Sequence, residues 1–275
     1  MRKCQRYITR CGSTELRRLE ADSVAARYHS KTFKMSALTF LLLMLGVAAL
    51  SEGRRFVFEN RRGETVWVGA LGNAGKGTPE RGGWEMRPGS SVTINVDDSW
   101  AGRFWGRTGC SFDGSGRGRC RTGDCGNRLH CNGAGGQPPA TLAEVTLGGW
   151  GGQDYYDISL VDGFNIPVTM EPIDRRGGGD HYRCNPASCR ADINAQCPPE
   201  LRSDGGCKSA CLAFNTDQYC CRGSFGTPQT CRASSWPRNY PAFFKNLCPD
   251  AYSYAYDDRR STFTCEKTAY RIIFS

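Results

Sequence analysis

The chain has 275 residues, a formal net charge of +9, 39% hydrophobic residues, 34 glycines and 16 cysteines. This length allows one large domain or two modest ones, and the glycine-rich composition favours a β-rich, loop-rich protein over a helical one. Residues 1–51 hold much of the excess of lysine and arginine, so the nearly balanced remainder does not indicate a nucleic-acid-binding protein.

An apolar run, SALTFLLLMLGVAAL, occupies residues 36–50 behind a basic flank and is followed by small residues. It is shorter than the about 20 residues that a membrane-spanning helix needs, so it predicts a secretory signal with its core at 35–51. A signal anchor or a buried helix is the alternative. Residues 1–34 are either a long n-region or sequence upstream of a true start at Met35. We therefore expect an N-terminal extension plus signal peptide at 1–51 and a secreted, extracellular domain at 52–275.

The first part of this domain alternates apolar with polar or small residues, a pattern typical of β-strands. Segments rich in Gly, Pro and Asn separate the strands, as hairpins require. No segment before residue 190 has a strong helical period, which predicts an antiparallel β-sandwich or barrel. The predicted strands lie at 56–58, 66–68, 91–96, 100–105, 141–147, 155–160 and 164–169.

The region 184–248 differs, because it holds most of the cysteines together with several Pro and Gly. It predicts a separate disulfide-rich lobe with a helix at 208–219 and a short second helix at 241–247. Two further strands, at 262–265 and 269–274, would return to the first core. The two ends of the domain are then expected in one sheet.

Cysteine usage also limits the chemistry. An even number of cysteines after residue 51 predicts a framework of seven disulfides in a secreted chain. A zinc site is the competing interpretation, but there is no CxxC and only His130 and His181 remain as histidine ligands. We therefore expect no metal and no cofactor. The adjacent Cys220 and Cys221 are expected to bond to different partners, since a bridge between neighbours is strained.

The sequence contains no GxSxG, Walker A or HExxH motif. The candidates for chemistry are the carboxylates beside strand-like sequence, Glu144, Asp157 and Asp162. Side chains alternate between the faces of a strand. Each acid therefore either points outward as an ordinary surface residue or lines a cleft, and the sequence leaves both open.

One stretch carries a family resemblance. Residues 116–131, GRGRCRTGDCGNRLHC, match the signature G-x-G-x-C-x-T-G-D-C-x-x-x-x-x-C at every fixed position. PPATLAEVTL, YYDISLVDGFNIPV, CPPELR and CPDAYSYAYDDRRSTFTC follow in the same order. Over residues 54–275 the chain resembles the thaumatin family, also called pathogenesis-related group 5. The resemblance implies a mainly β fold, an antiparallel β-sandwich (54–109, 140–183 and 250–275), with a small looped lobe (110–139) and a disulfide-rich loop and helix lobe (184–249).

The resemblance also implies how the cysteines pair. The family has a further bridge between the two ends of the chain, but Arg62 and Ser275 stand at those places here. Its loss is expected to cost a few kcal/mol. The implied pairs are Cys110–Cys120, Cys125–Cys131, Cys184–Cys265, Cys189–Cys248, Cys197–Cys207, Cys211–Cys220 and Cys221–Cys231.

The family's functional cleft implies a site lined by Arg103, Glu144, Asp157, Asp162 and Asp250, with Tyr155 and Tyr156 available to stack on sugar rings. The expected function is a secreted antifungal defence protein that binds β-1,3-glucan or another fungal cell-wall polysaccharide. We expect a monomer with no nucleic-acid partner and a membrane at most as a target. One alternative is an endo-β-1,3-glucanase that uses Glu144 and Asp157 as its catalytic carboxyl pair. Another is an inhibitor of foreign hydrolases or a membrane-perturbing protein.

Overall fold

Strands provide most of the regular structure. The structure, a computed structural model, describes residues 53–175, 177 and 179–275, so the predicted extension and signal peptide at 1–51 lie outside the described residues. The strands are β1 (Arg54–Asn60), β2 (Val66–Gly72), β3 (Gly83–Met86), β4 (Ser91–Val96), β5 (Ala101–Arg107), β6 (Ser111–Phe112), β7 (Gly118–Arg119), β8 (Leu142–Thr146), β9 (Asp154–Ser159), β10 (Val168–Pro172), β11 (Ala187–Cys189), β12 (Arg202–Ser203), β13 (Gly206–Cys207), β14 (Phe263–Cys265) and β15 (Tyr270–Phe274).

The larger strands form two sheets. One has the order β11-β10-β15-β1-β4 and the other β14-β9-β8-β5-β2-β3. Neighbouring strands in both sheets run antiparallel, except that β1 and β15 pair in parallel. This arrangement confirms the predicted antiparallel β fold, and it places both ends of the described chain in one sheet.

Helices are short and lie mainly in the cysteine-rich region. They are α1 (Ile193–Gln196), α2 (Ala210–Phe214), α3 (Asp217–Cys220) and α4 (Tyr240–Leu247), with 3-10 turns at Pro79–Gly82, Trp150–Gly152, Pro199–Leu201, Gly223–Phe225, Ala233–Ser235 and Asp258–Arg260. Among the described residues, no helix has the length and apolar character needed to cross a membrane.

The single helix predicted at 208–219 is wrong, because α2 and α3 are separate. Asn215 ends α2 in the left-handed conformation with φ of 49°, a conformation that Asn tolerates better than most residues. Thr216 then caps α3, its hydroxyl accepting a hydrogen bond from the Tyr219 amide. Because Asn215 ends one helix and Thr216 begins the next, the segment forms two short helices instead of one.

Strand alternation packs aromatic rings between the sheets. Phe56 and Phe58 of β1, Phe104 of β5 and Tyr270 of β15 are all fully buried. Ring centroids of Phe56 and Phe104 lie 5.4 Å apart, and those of Phe58 and Phe104 lie 5.0 Å apart. Such pairs add about 0.5–1.5 kcal/mol to the burial of each ring, so the core itself holds the sheets face to face.

The cysteines of the described chain form disulfides in the pairs that the resemblance implied. Cys220 and Cys221 bond to different partners, as their adjacency requires. The bonds are Cys110–Cys120, Cys125–Cys131, Cys184–Cys265, Cys189–Cys248, Cys197–Cys207, Cys211–Cys220 and Cys221–Cys231. The boundaries of the two lobes stay a prediction.

Ordinary hydrogen bonds join the positions where the family carries its additional bridge. Arg62 Nη1 donates to the Ser275 carbonyl at 3.0 Å, and the Arg61 amide donates to the Phe274 carbonyl at 2.8 Å. Arg62 also pairs with Glu64 at 2.5 Å. The parallel pairing of β1 and β15 therefore continues to the end of the sheet without a covalent link.

Candidate functional site

The register of three neighbouring strands places three of the predicted site residues in a row. Arg103 of β5 lies directly opposite Glu144 of β8, and Glu144 lies directly opposite Asp157 of β9. Directly opposed residues on one face have Cβ atoms about 4.5–5.5 Å apart. Their strand neighbours Ala143 and Ile158 point into the core, so this charged row (Arg103, Glu144 and Asp157) lies on the outer face of the sheet.

A cavity of about 290 Å³ opens over the charged row. One wall comes from the loop after β9, which contributes Asp162. The other comes from the segment after Cys248, where Tyr252 is held by backbone hydrogen bonds to Ile158 and Leu160 at 2.8 and 2.9 Å. The lining residues are Arg103, Leu142, Glu144, Asp157, Ser159, Val161, Asp162, Tyr252 and Ala255.

Asp250, the fifth predicted site residue, lies outside this lining. Its Oδ1 is 2.8 Å from His181 Nε2, and its Oδ2 accepts a hydrogen bond from the Ser188 hydroxyl at 3.3 Å. Asp250 is therefore engaged with a histidine and a serine, whereas the other four predicted residues share the cavity. Nothing in the sequence connects Asp250 to a histidine 69 positions away.

Two polar residues of the cavity lining were missed by sequence reasoning. Ser159 follows Asp157 by two positions in β9, so the period of the strand would have placed it on the same face. Tyr252 has no such signal, because it reaches the cavity only through tertiary packing. Its hydroxyl donates to Asp258 Oδ1 at 2.9 Å, which brings a further acid close to the site.

Tyr156 does not belong to the site, and the expectation that it stacks on sugar is wrong. It is fully buried, and its hydroxyl donates to the Asn185 carbonyl at 2.6 Å. Tyr155 is half-buried on the opposite face of β9. Consecutive residues of a strand face opposite ways, so only one of the two tyrosines could share the face of Asp157.

Burial gives the acids of the cavity unusual protonation behaviour. It raises the pKa of Asp157 well above its ordinary value, and the negative charges of Glu144 and Asp258 raise it further. Burial likewise raises the pKa of Glu144, where Asp162 adds to the effect while Arg103 and the Ser159 hydroxyl oppose it. Burial also raises the pKa of Asp162, against the opposing charge of Arg103. The cavity therefore binds protons more tightly than surface carboxyls do.

One oxygen of the charged row is both buried and without a hydrogen-bond partner in the described part of the chain. Asp157 Oδ1 is buried and unpartnered within the described residues. Buried polar atoms are nearly always satisfied, so such an exception calls for a reason. A ligand hydroxyl or a proton at Asp157 would satisfy it.

We expect Asp157→Asn to stabilise the protein at neutral pH by about 1 kcal/mol, because it removes a buried, incompletely satisfied charge. A carboxyl whose pKa is raised by folding makes the folded state bind more protons than the unfolded state. The wild type therefore recovers stability as the pH falls through the folded-state pKa of Asp157, and the advantage of the variant shrinks there. Guanidinium unfolding with the disulfides intact, at neutral and mildly acidic pH, measures both effects.

The exposed Glu80 supplies the control for this measurement. Glu80→Gln changes a carboxyl to an amide outside the cavity, so its effect on unfolding is expected to lie within about 0.5 kcal/mol. A loss of stability for Asp157→Asn at neutral pH, or an effect independent of pH, would contradict the assignment.

No group of three or more His, Cys, Asp or Glu side chains in the described part of the chain is arranged to hold a metal ion. The side chains that line the cavity offer carboxyl, hydroxyl and guanidinium groups. These groups hydrogen-bond to polar ligands and transfer protons.

Comparison with known proteins gives consistent relatives. The model of the thaumatin family matches residues 60–275. Thaumatin-like protein 1 of Pyrus pyrifolia is 51% identical over 240 residues, which cover 84% of this chain and 95% of that protein. Pathogenesis-related protein 5 of Arabidopsis thaliana is 49% identical over 242 residues, which cover 86% and 95%.

A more distant likeness extends to a solved structure. A laminaripentaose-producing β-1,3-glucanase of glycoside hydrolase family 64 from Paenibacillus barengoltzii, complexed with laminarihexaose, superposes with a TM-score of 0.52. The match covers 84% of this chain and 78% of that one at 12% identity. This is a likeness of fold.

Proposed function

This chain belongs to the thaumatin family, and from that membership we propose that it is a secreted, antifungal defence protein whose cavity binds β-1,3-glucan. The observation that carries the proposal is the charged row itself. Three adjacent strands present a guanidinium and two carboxyls side by side over a cavity of about 290 Å³. The disulfides support secretion, because such bonds persist in oxidising compartments.

A neutral polysaccharide fits these groups chemically. Each sugar hydroxyl both donates and accepts hydrogen bonds, so it suits a site that holds protonated carboxyls, ionised carboxyls and a guanidinium together. The raised pKa values of Asp157 and Glu144 favour such a mixture. A glucan hydroxyl would also satisfy the unpartnered Oδ1 of Asp157.

Arg103 is available to a ligand. Among the described residues it forms no ion pair within 4.0 Å and no side-chain hydrogen bond, although it lies opposite Glu144. Its guanidinium therefore keeps free donors toward the cavity. Hydrogen bonds to a charged group contribute about 1.5–3 kcal/mol each, so Arg103 is expected to hold the bound glucan in place.

A second candidate function is glucan hydrolysis at the same residues. A glycosidase needs one carboxyl with a raised pKa as the acid and a second as the base or nucleophile. Burial and then the negative charge of Glu144 raise the pKa of Asp157, which favours this alternative. Glu144 and Asp157 lie side by side on one face of the sheet. Hydrolysis therefore also requires that the scissile bond of the glucan lie between their two carboxyl groups.

We expect Glu144→Gln and Arg103→Ala each to weaken binding of laminarin at least about tenfold, which corresponds to 1.4 kcal/mol, because each removes a charged hydrogen-bonding group. Calorimetric titration measures the affinity, and release of reducing ends from laminarin measures hydrolysis. Glu80→Gln serves as the control and is expected to bind as the wild type does.

The outcomes separate the two candidates. Binding without release of reducing ends supports a lectin-like protein, and release that disappears in Glu144→Gln supports the hydrolase. If the wild type neither binds nor cleaves laminarin, or if Glu144→Gln and Arg103→Ala bind unchanged, the proposed function is wrong.

A further inference from the structure

Trp150 is the most exposed large apolar side chain of the described residues, with 88% of its surface open to solvent. It lies in the turn between β8 and β9, the two strands that carry Glu144 and Asp157. A single exposed apolar side chain is common on protein surfaces, so a role for Trp150 has to be argued from what lies beside it. The turn is thus an extension of the strands that form the proposed glucan site.

The strand register leads from the charged row toward this turn. Thr146 and Tyr155 lie opposite each other, two positions beyond Glu144 and Asp157 on the same two strands. Alternation puts them on the same face, about 7 Å further along at 3.4 Å per residue. The Tyr155 hydroxyl donates to the Trp150 carbonyl at 3.1 Å. The order along the face is therefore charged row, Tyr155 and then the turn of Trp150.

The turn has a defined shape. The Gly152 amide donates to the Gly149 carbonyl at 2.9 Å, and the Gly149 amide donates to the Gln153 carbonyl at 2.6 Å. Gly151 and Gly152 have φ of 67° and 73°, values that favour glycine. At the base of the turn the Gly148 amide donates to the buried Asp154 at 2.9 Å. These hydrogen bonds define the turn that carries Trp150, whose side chain is exposed.

We propose that Trp150 and Tyr155 form an aromatic platform that extends the glucan site beyond the cavity and stacks on sugar rings further along the chain. The inference rests on the proposed function and names additional binding positions for it. A sugar ring has an apolar face and a polar rim, which suits amphipathic aromatic side chains. The platform would make affinity depend on the length of the glucan.

A lipid surface fits the same turn less well. Membrane-surface anchors combine a broad apolar face with basic residues. The residues around Trp150 are Gly148, Gly149, Gly151, Gly152 and Gln153, which add neither apolar side chains nor positive charge. One tryptophan can cover a sugar ring, whereas it offers little area for insertion into lipid.

The test compares laminaritriose with laminarihexaose by calorimetric titration. The hexaose has more rings left for the platform once the cavity is occupied, so the wild type is expected to bind the hexaose more tightly than the triose. In Trp150→Ala the ratio of hexaose to triose affinity is expected to fall about tenfold, which corresponds to 1.4 kcal/mol. Trp150→Phe is expected to restore most of the ratio.

Phe214→Ala is the matched control, because it removes another partly exposed aromatic ring, on α2. It is expected to leave the ratio unchanged. The platform is wrong if the wild type binds both oligosaccharides equally, or if Trp150→Ala keeps the wild-type ratio. If the wild type binds neither, the proposed function itself fails and the platform fails with it.

Co-sedimentation with phosphatidylcholine vesicles distinguishes the other use of an exposed tryptophan. We expect no binding to these vesicles by the wild type. Vesicle binding that is lost in Trp150→Ala, together with an unchanged oligosaccharide ratio, would assign the turn to a membrane contact and overturn the platform.

Discussion

Asp154→Ala is expected to lower the free energy of unfolding by about 3–5 kcal/mol, the usual cost of removing one partner from a buried ion pair. Asp154 is fully buried and Arg54 is 5% exposed. Asp154 accepts hydrogen bonds from Arg54 Nη1 at 2.6 Å and Nη2 at 2.9 Å, from the Tyr270 hydroxyl at 2.9 Å and from the Gly148 amide at 2.9 Å. Arg54 Nη1 would keep a second acceptor, the Thr268 carbonyl at 2.9 Å. The other donors would lose this acceptor.

The position of this network explains why its loss is expected to matter for the whole fold. Arg54 and Tyr270 belong to the five-stranded sheet, whereas Asp154 begins β9 of the six-stranded sheet. The ion pair therefore joins the two sheets. Asp154 also holds the turn of Trp150 through the Gly148 amide. Burial and the charge of Asp154 raise the pKa of Tyr270, so its hydroxyl stays protonated and donates.

Equilibrium unfolding in guanidinium, with the disulfides intact, tests the expectation. Asp98→Ala is the control, since Asp98 also contacts Arg54 at 3.1 Å but is 40% exposed, and its loss is expected to cost less than about 1 kcal/mol. Replacing both Arg54 and Asp154 by apolar residues is expected to cost less than the single Asp154 change. Equal losses for the Asp98 and Asp154 variants would refute the role assigned to the buried pair.

Arg107→Met is expected to destabilise the protein by at least about 3 kcal/mol, because four carbonyls in buried or partly buried hydrogen bonds lose their guanidinium donor. Arg107 is fully buried. Its guanidinium donates to Val68 at 3.0 Å and Trp67 at 3.2 Å in β2, and to Arg128 at 2.9 Å and Leu129 at 2.7 Å in the signature stretch 116–131. One side chain thus fastens the glycine-rich loop to the sheet.

The guanidinium is suited to this task. Burial lowers the pKa of Arg107 to about 10, so the guanidinium stays charged at neutral pH. Within the described part of the chain, its N–H groups donate to backbone carbonyls and not to a carboxylate. Arg107→Lys keeps a charge but offers a compact ammonium in place of a planar fork. We expect it to lose about 2 kcal/mol, between the wild type and Arg107→Met.

Unfolding free energy and amide hydrogen exchange in residues 126–131 check this second expectation. In Arg107→Met, amide exchange in residues 126–131 should accelerate more than amide exchange in β4, because the lost hydrogen bonds are local to the small lobe. Arg117→Met is the control, since Arg117 is exposed and its side chain donates a hydrogen bond to the exposed Ser115 at 3.2 Å. It should change stability by no more than about 0.5 kcal/mol. Unaltered exchange in 126–131 would show that Arg107 does not hold the stretch.

Local sequence patterns predicted much of the fold. Alternation identified strands such as Ser91–Val96, and the C-terminal strand Tyr270–Phe274 lies one residue from its predicted start. These predictions succeed because the period of two is a property of a few consecutive residues. The same local signal failed at 208–219, where Asn215 and Thr216 act through backbone conformation and capping rather than through hydrophobic pattern.

The site was only partly predictable. Four of the five residues implied by the family resemblance share the cavity, and the strand register accounts for the charged row. Asp250 instead pairs with His181, and Tyr252 enters the cavity from a distant segment. Neither placement could be read from spacing, since each depends on how loops after the sandwich pack against β9.

From the sequence alone, the β-rich class, the disulfide framework and the family resemblance could be established, because they rest on composition, local periodicity and a motif of fixed spacing. The tertiary structure decided the rest. Arg54 and Asp154 are 100 residues apart and Arg107 and Leu129 are 22 apart, and only the order and register of the strands bring them together. The burial of Tyr156 likewise follows from which face β9 turns to the core, and the exposure of Trp150 follows from its place in the turn beyond the sheet.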